Sequence, residues 1–317
     1  MGNQFSFGAG KPSRPAPTTS PTVREEASSL SARLPSLIVT ARHVAQTVRH
    51  GVHGRRRAGS GETFWQFRPF LSGEPSSKVD WRRSDREEKA FVREREWEAA
   101  HTVWVWFDRS ASMRFASNLA TTSKIDRAAV LALAFADLCV RGGERAGFLG
   151  LTRPLASQGV IERLAEAIAT DERLQGSSET VLPPATPATS RSLTLLVGDF
   201  LCPTEQTEET IRAIGAQGAI GQLVMIADPI EETYPFTGNT EFRHPAGEMR
   251  LVSPRAQSLR DAYLRRLAEH RARLDEICRR LGWGLSLHRT DQSPAEALLT
   301  LRMHLSAPEP SAGRWSA

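Results

Sequence analysis

Val103-Trp104-Val105-Trp106-Phe107-Asp108-Arg109-Ser110-Ala111-Ser112-Met113 is the stretch that decides how this chain reads. Five consecutive β-branched and aromatic residues predict a strand covered on both faces. The apolar run stops at Asp108, and Ser110 and Ser112 follow at a spacing of two. One carboxylate and two hydroxyls on a tight loop are hard oxygen donors, the kind that Mg²⁺, Mn²⁺ or Ca²⁺ prefers. Their position adds weight, because open α/β sheets bind ligands outside the carboxyl ends of their strands. The plainer alternative is a strand-to-helix turn with Ser112 as the helix cap.

Outward from this loop, the chain alternates strand and helix patterns. Strands are predicted at 145–151, 193–199, 221–227 and 283–288, and helices at 124–141, 160–174, 205–217, 255–281 and 294–305, with a hairpin over 240–252. Such alternation implies an α/β fold, a doubly wound, mainly parallel sheet. Residues 29–50 carry Leu30, Leu34, Leu37, Ala41, Val44 and Val48 at helical spacing, with Pro35 expected to break or offset the start. Residues 63–70 read as a strand, and 89–98 as a charged strand or a short helix. The predicted organisation is a disordered tail over 1–28, an amino-terminal helix and β-containing extension over 29–100, the α/β domain over 101–306, and a disordered tail over 307–317.

The net charge of +5 is uneven. Residues 1–100 hold 17 Lys and Arg against 11 Asp and Glu, the remainder 24 against 25. The excess peaks at residues 49–57, where Arg55, Arg56 and Arg57 offer a surface for an anionic partner. No aromatic interleaving accompanies them, which argues against nucleic acid as the ligand. No apolar stretch approaches the ~20 residues that span a bilayer, and the first residues lack a signal-peptide pattern. Cys139, Cys202 and Cys278 form no CxxC pair and read as reduced thiols. A cytoplasmic location is the expectation.

The Asp-x-Ser-x-Ser loop resembles the metal-ion-dependent adhesion site of von Willebrand factor A domains. That resemblance implies a divalent ion, Mg²⁺ or Mn²⁺, held by Asp108, Ser110 and Ser112 from the first loop. It further implies Asp199 on a third loop, acting through water, and Thr180 on a second loop, with Ser177 and Ser178 as neighbouring candidates. Pro183-Pro184-Ala185-Thr186-Pro187 stands where a helix normally supports the second-loop threonine.

The stretch from about residue 50 to 305 also resembles the bacterial family named domain of unknown function 58, which joins such a core to a characteristic amino-terminal segment. The resemblance rests on Arg55-Arg56-Arg57-Ala58-Gly59-Ser60-Gly61-Glu62, Phe67-Arg68-Pro69-Phe70, Ser72-Gly73-Glu74 and Val79-Asp80-Trp81-Arg82-Arg83-Ser84-Asp85-Arg86. Val92-Arg93-Glu94-Arg95-Glu96-Trp97-Glu98 then leads to the first core strand. Glu74, Lys78 and Phe70 depart from the usual Asp, Arg and Tyr. Many relatives carry two membrane helices before this region, and the family is linked with AAA+ ATPases of MoxR type. It therefore implies an adaptor or chaperone-like role, with such an ATPase as partner.

Two other readings compete. A Mg²⁺-dependent phosphoryl-transfer enzyme would also place an Asp at the end of the first strand, but would need an acid two residues later, where this chain has Ser110. There is no G-x-S-x-G elbow and no HExxH pair, so the residues favour no enzyme. Nucleic-acid binding rests on the basic 49–57 segment alone.

Overall fold

Residues 102–107 form an interior strand of the main sheet, with Val103, Val105, Trp106 and Phe107 buried. The computed structural model describes residues 29–51, 64–69, 91–95, 102–175, 181–185, 188–189, 192–245 and 249–305. The two predicted tails, the basic segment with Arg55, Arg56 and Arg57, and the Asp80-Trp81 step lie outside the described residues.

The elements in chain order are α1 (Leu30–Gly51), β1 (Phe64–Pro69), β2 (Phe91–Arg95), β3 (Thr102–Phe107), α2 (Lys124–Arg141), β4 (Arg145–Phe148), α3 (Val160–Gln175) and β5 (Leu193–Gly198). They continue with α4 (Thr204–Ile214), β6 (Ile220–Ala227), α5 (Pro229–Thr233), β7 (Thr240–Arg243), β8 (Arg250–Ser253), α6 (Arg260–Arg280), β9 (Gly284–Arg289) and α7 (Pro294–Leu305). Five strands form one parallel sheet in the order β4-β3-β5-β6-β9. Counting only these strands, the order is 2-1-3-4-5, a doubly wound α/β arrangement whose topological switch point lies between β3 and β5. The fold class read from the sequence is thus the one observed. β1 with β2, and β7 with β8, make separate antiparallel pairs.

Gly221 to Ala227 are buried without interruption, so β6 is covered on both faces. α2 packs against the sheet with α3 and α7 beside it, and α1 lies across α2, touching α3 and α7 as well. α2 is therefore enclosed on all sides, and every residue from Lys124 to Asp137 is buried. α4 and α6 pack together, and α6 reaches β9.

Several boundaries differ from the sequence expectation for identifiable reasons. Pro35 neither breaks α1 nor shifts its start. Leu30, Leu34 and Leu37 on either side of it are buried in the common core. Glu172 of α3 accepts the free N–H groups of Leu30 at 3.1 Å and Ser31 at 2.7 Å, so the first turn is held from outside the helix. Within the 89–98 segment, Phe91–Arg95 form a strand, β2. β4 ends at Phe148 because Gly150 turns the chain at φ +80°, and Leu155 returns to bridge Ala146 in antiparallel sense. The 255–281 helix opens as a tight 3₁₀ turn over Ala256–Leu259 before α6 begins.

Candidate functional site

β3, β5 and β6 end side by side, and each ends in an aspartate: Asp108, Asp199 and Asp228. All three are buried. The Asp108 N–H donates to Val197 O at 2.8 Å, which continues the β3–β5 ladder to the last residue before the loop. Gly198 faces Asp108 across the ladder. A Cβ on Gly198 would lie 3.1 Å from Asp108 Cβ, so a side chain there would press on the carboxylate.

Asp108 Oδ1 accepts the Ser110 N–H at 2.7 Å, while Oδ2 is buried with no hydrogen-bond partner among the described residues. Burial, reinforced by the negative charge of Asp199, pushes the Asp108 carboxyl up to about 7, against the pull of Ser110 and Lys124. Ser110 Oγ and Ser112 Oγ are 3.1 Å apart, and the Ser112 hydroxyl also serves Asp199. The plain capping role considered for Ser112 is not what the structure shows. Ser112 sits inside a 3₁₀ turn, Ala111–Arg114, which has no side-chain cap, and α2 is capped by Ser123. Arg109 points away from these oxygens. It pairs with Asp171 at 2.7 Å and lies over the Phe148 ring, pinning the loop to α3.

Asp199 Oδ1 accepts the Leu201 N–H at 3.3 Å, and Oδ2 accepts from Lys124 Nζ at 3.1 Å. Burial works to raise the Asp199 carboxyl, but the Lys124 ammonium and its neighbours outweigh it and hold it below the usual range. The next residue, Phe200, adopts φ +47°, a left-handed conformation unusual for a bulky side chain. Its carbonyl accepts the His270 Nε2 hydrogen at 2.7 Å, one of the contacts that keep it there.

Lys124 is the feature that sequence reasoning missed. It is 1% exposed, and its Nζ also donates to Glu231 Oε1 at 2.8 Å. Burial lowers its affinity for a proton, but Glu231 and Asp199 more than restore it, so the ammonium is charged. Glu231 in turn accepts the Asp228 N–H at 2.8 Å, closing a capping box at the start of α5. Asp228 binds the N–H and the hydroxyl of Ser117, at 2.9 Å and 2.5 Å, and so anchors the loop after the 3₁₀ turn. A sequence signal for Lys124 existed. It is a lone lysine directly after the Ser123 cap in a helix whose following residues are mostly Ala, Val and Leu.

Of the predicted site residues, Asp108, Ser110, Ser112 and Asp199 come together at the switch point. Thr180, with Ser177 and Ser178, lies outside the described residues. Among the described residues no group of three or more His, Cys, Asp or Glu has metal-binding geometry. A divalent cation here would instead be held by one carboxylate, two hydroxyls and water, a donor set that group does not include. The orphaned Asp108 Oδ2 fits such an ion. So does the charge. Three carboxylates, Asp108, Asp199 and Glu231, face one ammonium, Lys124.

Of the expectations outside the site, no helix among the described residues is long and apolar enough to cross a membrane. Cys139, Cys202 and Cys278 carry free thiols.

Comparison with known proteins places these features in context. The chain is 26% identical over 276 residues to the uncharacterized proteins Rv1480 of Mycobacterium tuberculosis and Mb1516 of Mycobacterium bovis, covering 83% of this chain and 86% of each relative. Among solved structures, an aerotolerance-related membrane protein from Bacteroides fragilis aligns over 64% of this chain and 98% of its own, at 12% identity and a TM-score of 0.36. BatB from Bacteroides thetaiotaomicron aligns over 65% and 98%, at 11% identity and a TM-score of 0.33. Residues 66–273 match the family described as protein of unknown function DUF58, and the chain belongs to that family.

Proposed function

We propose that this chain is a non-catalytic interaction module of von Willebrand factor A type, acting in the cytoplasm as an adaptor for an AAA+ ATPase of MoxR type. Its Asp108 loop holds Mg²⁺ or Mn²⁺, with Ser110 and Ser112 as direct ligands and Asp199 behind water. The open position of the ion takes an Asp or Glu side chain from the partner. One observation carries this reading: Asp108 Oδ2 is buried and unpartnered among the described residues, beside two hydroxyls at the switch point of a parallel sheet.

The ion supplies a Lewis-acidic centre for an incoming carboxylate. The chain's own residues do the rest. Asp108 is the single carboxylate among the proposed direct ligands, and Lys124 offsets part of the Asp199 charge, so the ion stays attractive to an external acid. Ser110 occupies the position where a phosphatase of this topology needs its acid/base, which supports binding over catalysis.

Calorimetry with Mg²⁺ and then Mn²⁺, on wild type and on Asp108→Ala, tests the ion site. Capture of the purified ATPase with and without chelator tests the partner arm. Both signals are expected to vanish in Asp108→Ala while the fold survives. Ion binding and partner capture must also reinforce each other, since the coupling is reciprocal. Capture indifferent to chelator and to Asp108→Ala would overturn the reading.

A further inference from the structure

A groove of about 660 Å³ opens beside this site. Its floor is an aromatic cluster in which the Tyr234 ring lies 5.1 Å from Phe236, 5.0 Å from Tyr263 and 6.0 Å from Phe242. The rings come from the loop after α5, from β7 and from α6, so three elements converge on it. The β7–β8 hairpin contributes Leu251, which is 57% exposed. Exposed apolar surface of this kind on a folded domain marks a binding surface.

Two observations identify what covers it. The first is continuity with the Asp108–Asp199 site. Glu231 and Phe115 line the groove, Glu231 holds Lys124 at 2.8 Å, and the Phe115 ring is 6.0 Å from the Lys124 ammonium. One end of the groove is thus built from the residues that surround the site. The second is charge. Along α6, Arg271, Arg273, Arg279 and Arg280 are each paired with a carboxylate. Arg265 and Arg266, which line the groove and are exposed, pair with no carboxylate among the described residues. Among the described residues the acids lining the groove are Glu269 and Glu231, and Glu231 shares the Lys124 ammonium with Asp199.

We propose that the groove binds a peptide segment of a partner protein in which a large apolar side chain is flanked by acidic residues. The apolar side chain packs on Tyr234 and Tyr263, and the acids meet Arg265 and Arg266. At the inner end, one acid reaches the Asp108 site; only this last contact rests on the function proposed above. A ligand that spans both ends must carry carboxylates and apolar groups in series, which an acidic peptide does.

The test uses the full chain and a random dodecapeptide library, followed by anisotropy with the selected peptides carrying fluorescein. Selection should enrich Phe, Leu or Trp next to Asp or Glu. Leu251→Asp and Ala262→Glu, both at exposed positions, should raise Kd at least ten-fold while leaving the melting curve unchanged. Arg265→Glu with Arg266→Glu should do the same and flatten the salt dependence. Peptide binding that survives chelator and Asp108→Ala but fails in the groove variants would keep this proposal and remove the metal-capture reading. Loss in Asp108→Ala with wild-type binding in the groove variants would overturn it. Enrichment of basic peptides, no enrichment, displacement of the peptide by palmitate alone, or a dimer that dissociates in the groove variants would overturn it too.

Discussion

Lys124 Nζ lies 3.1 Å from Asp199 Oδ2, and both side chains are almost wholly buried. This pair divides the two aspartates at the switch point. Asp199 is compensated by a permanent cation, while Asp108, one strand over, keeps an oxygen with no partner. The first is a fixed part of the framework, and the second is the group with unused binding capacity.

Removing the fixed cation should therefore be costly. Lys124→Met strands Asp199 and Glu231 without their ammonium, and breaking a buried pair in this way costs about 3–5 kcal/mol. Thermal or urea unfolding measures it. A variant that unfolds like wild type would show that the Lys124 ammonium does not hold these two acids together.

Removing the unused acid should do the reverse. The Asp108 carboxyl sits at about 7 in the folded chain against 3.8 for the free group. Between those values the unfolded chain releases a proton that the folded chain keeps, so stability falls as pH rises. Above about 7 the whole cost stands; below about 4 it is absent. Asp108→Asn cannot ionise, so in chelator at about pH 8 it should be more stable than wild type, by up to about 4 kcal/mol. The gap should close on acidification to about pH 4. Melting curves across pH check this, and a gap independent of pH would show that the burial of Asp108 carries no charge penalty.

A divalent ion bound as proposed would relieve the same penalty. Mg²⁺ or Mn²⁺ should raise the melting temperature of wild type at neutral to alkaline pH and leave Asp108→Asn unmoved. Because such an ion would displace the Asp108 proton, its affinity should climb with pH up to about 7 and then level off. Differential scanning fluorimetry over a metal and pH grid separates the cases.

The purified chain should not hydrolyse phosphate esters above background with either ion. A broad phosphatase screen is the measurement. Hydrolysis that disappears in Asp108→Asn would overturn the proposed interaction module in favour of an enzyme.

α1 should stabilise the domain through α2. Leu34 is 3% exposed in the common core, and Leu34→Ala should cost about 2–5 kcal/mol. Denaturant unfolding gives the number. A cost near zero would mean that α1 merely lies on the surface of the sheet's helix layer.

The sequence by itself determined the order of most strands and helices and the loop at Asp108, because these are local. Apolar residues at a period of two or 3.6, and the run from Val103 to Phe107 that stops at an acid, need no knowledge of the rest of the chain. It also placed Asp199 at a second strand end. Whether those strand ends would be neighbours was not local: Asp108 and Asp199 meet only because the sheet places β3 next to β5. In the sequence, Lys124 is the first residue of a helix after the Ser123 cap, with no acid marked as its partner. It became a buried cation only when α1 and the sheet enclosed α2 and Glu231 arrived from beyond β6. The groove has the same origin. Tyr234, Phe242, Leu251 and Tyr263 are scattered along some thirty residues of unremarkable sequence, and the hairpin folding back on α6 gathers them into one surface. Periodicity records which face of an element is covered. It holds no record of which distant charge or ring covers it, and at this site that pairing sets the chemistry.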